Sequence, residues 1–241
     1  QDSLRLPKEW YPKLDIEGTE ECFLASMGIY IFNREVVRKL LDNEHTDFGK
    51  HIIPRSIETH RVCSHIYQGY WEDIGTIRAF FESNLDMAAE LPKFNFFDMS
   101  APIFSRPRFL PGSKLNGAHI DHAVISDGCI INPSRISNSI IGLRTLVGAG
   151  TEMNRVVALG CDYFESKESI AEHERTGKPR VGIGTNCRIE NAIIDKNARI
   201  GNNVTISPVG KPENVDHTLY FIRDGIVVIP KGASIPDGTV I

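Results

Sequence analysis

Large aliphatic residues recur at every sixth position in the second half of the chain. Val124, Ile130 and Ile136 share the interval, and after one step of five Ile141, Val147 and Met153 resume it. It returns at Ile183 and Ile189, at Ile194, Ile200 and Ile206, and at Ile229, Ile235 and Ile241. Helices repeat every 3.6 residues and simple strands every two, so neither has this period. A period of six is the signature of a parallel β-helix, in which each short strand takes one wall and a turn follows. The aliphatic residue of each hexad then points inward and stacks on its neighbours in the coils above and below. Turn formers follow the hexad positions, among them Gly128, Gly142, Gly148, Gly182, Gly201, Asn202 and Gly238. Known solenoids of this repeat are commonly left-handed, although the repeat itself does not give the hand. Two stretches interrupt the pattern, 162–180, with a short helix expected around 169–175, and the Pro-containing 209–217. Both read as excursions from the wall.

The first half has a different rhythm. Residues 25–32 form an apolar, aromatic-rich run of strand length, and Asn33 can cap a following helix with Val36, Val37, Leu40 and Leu41 on one face. A second strand is expected over 62–67, ending at Gly69; Thr76 can then cap a helix carrying Ile77, Phe80, Phe81, Leu85 and Ala88. Strand followed by helix, twice, predicts a mixed α/β layer. Pro102, Pro107, Pro111 and Gly112 break any regular element between 93 and 117. The expected organisation is an α/β domain over 1–92, a linker over 93–117 and a β-helix over 118–241.

Composition narrows the function classes. The 241 residues carry 27 Lys+Arg against 31 Asp+Glu, a net charge of -4, so no global field attracts nucleic acid. Five cysteines (Cys22, Cys63, Cys129, Cys161, Cys187) stand far apart with no C-x-x-C pair, which fits a reducing compartment better than a disulfide framework or zinc knuckle. No apolar run approaches the roughly 20 residues that cross a bilayer, so no membrane role is expected. The polar start Gln1-Asp2-Ser3 is unlike a signal peptide, and the Pro-containing opening without Met reads as an excerpt of a longer protein. A cytoplasmic location is expected, or a plastid if the source is a plant.

Three polar-aromatic clusters in the first half carry candidate chemistry. Alternation along a strand would put Ser26, Gly28 and Tyr30 on one side, a surface suited to a sugar; the bland reading makes Tyr30 a half-buried aromatic. Asp47 before Phe48-Gly49 is either a ligand-facing carboxylate or a turn residue. Trp71 and Asp73 precede a helix, where Trp71 could stack on a ligand and Asp73 could bind a metal or simply cap the helix.

Taken jointly, these segments resemble a known family. The strings 25–30 (ASMGIY), 47–54 (DFGKHIIP), 69–77 (GYWEDIGTI), 84–86 (NLD), 100–111 (SAPIFSRPRFLP) and 192–201 (AIIDKNARIG) occur in the order found in ADP-glucose pyrophosphorylases, over nearly the whole span 23–241. The resemblance implies a partial, Rossmann-like nucleotidyltransferase domain followed by a left-handed parallel β-helix. It further implies a reaction of glucose 1-phosphate with ATP that yields ADP-glucose and pyrophosphate. Ser26, Tyr30, Asp47, Phe48 and Trp71 would contact glucose 1-phosphate, and Asp73 would be the catalytic ligand of Mg²⁺. Arg108, Lys196 and Lys231 match basic positions at which similar enzymes bind a phosphorylated metabolite or inorganic phosphate, with 3-phosphoglycerate or a related sugar phosphate the expected activator and inorganic phosphate the expected inhibitor. A homo- or heterotetramer is also implied.

The departure is that the family's Gly-rich phosphate loop precedes the Ser26 strand, and no G-x-G-x-x-G cradle occurs in this sequence. ATP is therefore expected to be held by a nucleotide-binding half outside these residues. A non-catalytic regulatory or assembly subunit of the same enzyme is one alternative. A hexapeptide acyltransferase using His119, His122, His173 or His217 is the other.

Overall fold

The computed structural model of the protein describes residues 8–14, 23 and 25–241. Residues 1–7, which hold the polar start, and Cys22 lie outside the described residues. Chain contacts divide the protein into two compact units, Gln1–Gly69 and Tyr70–Ile241.

The second unit is built around the solenoid. Four seven-residue strands, His119–Ile125, Arg135–Ile141, Glu152–Ala158 and Arg188–Ile194, pair in parallel, one per coil. Each bends at a residue with positive φ: His122, Asn138, Arg155 and Asn191, respectively. Such a bend lets one strand cover two walls. Two-residue strands from Lys114–Leu115 to Ser234–Ile235 make a second parallel sheet of six, which supplies the remaining wall. Wide left-handed turns favour Asn and Gly because the short or absent side chain tolerates that φ.

Inside, Ile136 stacks on Met153 and Met153 on Ile189; Ile141 leads through Ala158 to Ile194 and Ile229; Ile131 leads through Val147 and Ile183 to Ile200 and Ile235. Nearly all are fully buried. Burial of one such aliphatic side chain is worth about 1.5–3 kcal/mol, so these columns supply the main cohesion of the solenoid.

The first coil corrects the sequence reading by one residue. Val124 is 41% and Ile130 36% exposed, whereas Ile131 is fully buried and Ile125 packs against the core. Val124, Ile130 and Ile136 keep the interval of six, but the first two have aliphatic neighbours, Ile125 and Ile131, that are also six apart and need only one step of five to reach Ile136. Only the pairing of Ile125 with Ile141 and of Ile131 with Val147 decides which member faces inward, because a shift of one reverses the face. Some glycines also have a different purpose from the expected one. Gly148 has no positive φ, but a Cβ there would lie 2.4 Å from the carbonyl of Gly184 in the next coil. Close coil-to-coil approach excludes a side chain at that position.

The excursion 162–180 contains a helix, Lys167–Thr176, capped by Ser166 and closed by left-handed Gly177. The second excursion returns through an antiparallel hairpin, Phe221–Arg223 with Ile226–Ile229, whose latter strand rejoins the parallel sheet beside Arg188–Ile194.

The helix Ile77–Asp86 belongs to this second unit, although the sequence boundary at 92 had grouped it with the first half. Phe81 and Leu85 pack on Val157, Ile193 and Ile226 of the coil. Arg155 binds Glu82 at 2.7 Å, stands 5.5 Å over the Phe81 ring, and donates through Nε to Asn191. Thr76 caps the helix by accepting from the Ala79 N–H.

In the first unit, helices span Arg34–Leu40 and Ile53–Thr59, the second preceded by a π-type turn over Phe48–Ile52. Asn33 caps the former as its position predicts, accepting from the Glu35 N–H at 3.0 Å. The strands expected over 25–32 and, across the unit boundary's near side, 62–67 do not form. Both segments are irregular, and Ile29 and Ile31 are exposed. An extended run becomes a strand only when a neighbour accepts its backbone hydrogen bonds, and none of the described residues provides one.

Candidate functional site

Ser26, Tyr30 and Phe48 come together in the first unit, though not by strand alternation. Gly28 adopts φ +71°, and its N–H donates to Ser26 Oγ at 3.2 Å, turning the chain back on itself. Ser26 Oγ and the Tyr30 hydroxyl then lie 3.0 Å apart. The Tyr30 and Phe48 rings stack with centroids 6.1 Å apart, and Phe32 joins Phe48 at 5.9 Å. Two hydroxyls beside a half-exposed aromatic plate can bond the rim of a sugar and cover its apolar face. Phe32 was not singled out from sequence, although alternation would have put it on the side of Ser26, Gly28 and Tyr30.

Asp47 is the N-cap of the turn that carries Phe48. Its Oδ1 accepts from the Lys50 N–H at 2.8 Å, and this bond holds its carboxyl below the ordinary range. The turn role that sequence left open is therefore filled, while Oδ2 keeps acceptor capacity.

Trp71 and Asp73 belong to the second unit, just before its capped helix. Trp71 is 43% exposed, enough ring face for stacking. Asp73 Oδ1 accepts from the Gly75 N–H at 3.0 Å, while Thr76 serves as the cap, so Asp73 shapes the turn before the helix. No group of three or more His, Cys, Asp or Glu is arranged to hold a metal among the described residues. Mg²⁺ commonly takes one or two protein carboxylates and completes its octahedron from phosphate and water, so a single exposed aspartate fits that donor set. An open groove of about 780 Å³ beside this helix is lined by Glu72, Arg78, Glu82, Asp86, Lys93 and Arg155 among others, and by none of the residues predicted to bind ligand.

Two of the three predicted basic residues, Lys196 and Lys231, occupy one corner of the solenoid. Successive turns there bond rung to rung: Arg144 N–H to the Asp127 carbonyl, Cys161 N–H to Leu143, Asn197 N–H to Gly160 and Gly232 N–H to Lys196. Lys196 and Lys231 thus stand on adjacent rungs, spaced about 4.8 Å as strands are. Lys196 Nζ donates to Asp162 Oδ1 at 2.9 Å, and Lys231 Nζ lies 4.0 Å from Oδ2. Lys196, then Asn197, hold the Asp162 carboxyl below its ordinary range. Arg108 is not part of this contact. It donates to the Arg106 carbonyl at 3.3 Å, on the segment whose Pro111 meets the corner at Gly128, three rungs below Lys196. Asp162 escaped the sequence reading; the only signal was an acid at the start of a charged excursion.

A second polar cluster fastens the same excursion. Glu165 accepts from Arg199 at 2.7 Å and from the Val181 N–H at 3.2 Å, and His173 Nδ1 lies 2.9 Å away. His173 thus belongs to the polar cluster around Glu165. His217 stacks on Tyr220 and His122 sits beside Asp121, so the four histidines weighed as acyl-transfer bases have separate local partners or positions.

Residues 108–240 match the GLGC left-handed parallel beta-helix domain, and residues 18–90 match the Nucleotidyl transferase family. The chain is 44% identical over 224 residues to the glucose-1-phosphate adenylyltransferase large subunit 1, chloroplastic/amyloplastic, of Zea mays. That alignment covers 91% of this chain and 43% of the maize protein, so the chain spans less than half the length of its relative.

Proposed function

Because this chain belongs to the ADP-glucose pyrophosphorylase (glucose-1-phosphate adenylyltransferase) family, we propose that it carries the sugar-phosphate and metal-ligating portion of an enzyme that makes ADP-glucose from ATP and glucose 1-phosphate. In that reaction a phosphate oxygen of the sugar attacks the α-phosphorus of ATP. A new P–O bond forms as the bond to the β-phosphate oxygen breaks, and pyrophosphate leaves. Catalysis of such a transfer consists chiefly of in-line positioning and neutralisation of developing charge.

Each residue has a part in this scheme. Ser26 and Tyr30 bond sugar hydroxyls, Phe48 covers an apolar sugar face, and Trp71 stacks on the ligand. Asp47 accepts from a sugar hydroxyl through the oxygen left over from its capping bond. Asp73 ligates Mg²⁺, which when bound supplies positive charge to the phosphate oxygens. ATP is held by residues outside this chain. The observation that carries the reading is the meeting of the Ser26 and Tyr30 hydroxyls beside the stacked Phe48 ring.

Titration of glucose 1-phosphate into the chain, followed by calorimetry, tests it. Saturable binding should weaken about ten-fold in Ser26→Ala and in Phe48→Ala, the scale of one lost polar or aromatic contact. Absence of saturable binding, or indifference to both changes, overturns the reading.

Lys196 and Lys231, with Arg108 nearer the base of the corner, form the effector site in this proposal. A phosphorylated metabolite or inorganic phosphate is the ligand, since paired ammonium groups suit a phosphate dianion. The maize relative's designation as a large subunit supports an assembly of subunits, for which a homo- or heterotetramer is proposed. It equally favours a second reading, a regulatory subunit whose own pocket binds ligand without turnover. No helix among the described residues is long and apolar enough to cross a membrane, and the proposed location is the cytoplasm or a plastid.

A further inference from the structure

The two lysines proposed to receive an anion already face one. Asp162 lies one rung below Lys196 and two below Lys231, and its two carboxylate oxygens divide between them, at 2.9 Å and 4.0 Å. Asn197 secures the arrangement from both sides: its Nδ2 donates to Asp162 Oδ2 at 2.9 Å, and its Oδ1 accepts from the Asp162 N–H at 2.8 Å. Lys196 and Asp162 are each a little under half exposed and Lys231 more so, so a solute can reach all three.

We propose that Asp162 is a built-in counter-ion of this corner: it occupies the place of the effector phosphate between Lys196 and Lys231, and the effector binds by displacing it. The proposal rests on the anion-site reading above and adds the group that sets its affinity. A phosphate has more oxygens and more charge than a carboxylate, so it can engage both ammonium groups where Asp162 bonds only one closely. The exchange does not require the excursion to unfold. Its later part is anchored independently by Glu165 on Arg199 and on the Val181 N–H. The Asp162 N–H stays on Asn197 while the carboxylate swings away.

The consequence is an anion site weakened by a neighbouring acid. Inorganic phosphate, titrated at constant ionic strength and neutral pH into the full chain and followed by calorimetry, is the probe. Asp162→Asn keeps the bond geometry to Asn197 and removes the competing charge, and phosphate should bind about five-fold more tightly, the scale of one or two exposed ion pairs. Lys231→Ala should weaken binding about ten-fold and abolish most of the gain from Asp162→Asn in the double variant. Should the amide disturb the turn, Asp162→Ser repeats the test with a smaller neutral group, and circular dichroism identifies a folded variant. Unchanged or weaker binding in folded Asp162→Asn and Asp162→Ser, with Lys231→Ala still impaired, overturns the counter-ion role and leaves the anion site standing. Phosphate binding indifferent to Lys196→Ala and Lys231→Ala alike overturns the anion site, and the counter-ion role with it.

Discussion

Glu165 accepts a 2.7 Å bond from Arg199 with their side chains only 3% and 8% exposed, so the excursion 162–180 is fixed to the solenoid by a buried ion pair. The pair has further partners, the Pro179 carbonyl for Arg199 and the Val181 N–H for Glu165, which satisfy groups that burial would otherwise strand. Removal of one member leaves the other charged and unpaired. Glu165→Gln should therefore lower stability by about 3 kcal/mol, read from the midpoint of urea unfolding.

The same carboxylate gives a pH dependence with a definite sign. Burial pushes the Glu165 carboxyl up, but the bonds from Arg199 and the Val181 N–H outweigh it and leave the folded value below the ordinary 4.5. A depressed folded value means that this group stabilises above its unfolded value and that the contribution disappears as pH falls through the folded one. The wild-type unfolding midpoint should drop steeply below about pH 4.5. In Glu165→Gln that drop should be shallower. Equal slopes in the two proteins contradict the assignment.

The register of the first coil separates two neighbouring isoleucines. Ile131 is fully buried and pairs with Val147, while Ile130 is 36% exposed. Ile131→Ala should cost about 2–5 kcal/mol and Ile130→Ala less than about 1 kcal/mol. Thermal unfolding of the two variants decides it, since the hexad count alone favours the opposite order.

The cysteines report on solenoid integrity. Cys129, Cys161 and Cys187 are buried, and burial raises their thiols, that of Cys161 to about 11. A thiol raised this way holds little reactive thiolate at neutral pH. Cys63 is exposed and should react with a thiol reagent in the native chain, whereas the three coil cysteines should react only on unfolding. Mass spectrometry of labelled peptides distinguishes them.

The solenoid was legible in the sequence because its cause is local and repeated: one aliphatic residue per wall and a turn former after it. The uncertainty at Val124-Ile125 and Ile130-Ile131 arose where two aliphatics adjoin and only coil-to-coil pairing selects one. Strands over 25–32 and 62–67 were read from composition, but strand formation depends on a partner chain segment, which composition does not supply. Alternation was the reason for grouping Ser26 with Tyr30, but it is left-handed Gly28 that brings their hydroxyls together. Asp162 could not be read at all. Its importance comes from rung stacking, which brings residues 34 apart in sequence to 2.9 Å.

The central proposal, that this segment supplies the metal-ligating aspartate of an adenylyl transfer, is tested most directly by Asp73→Asn in the segment joined to, or combined with, a nucleotide-binding half. With ATP, glucose 1-phosphate and Mg²⁺, ADP-glucose formation should fall about 10²–10³-fold in kcat, while glucose 1-phosphate binding changes little, because the lost charge acts mainly in the transition state. A folded Asp73→Asn enzyme with wild-type kcat would contradict the account.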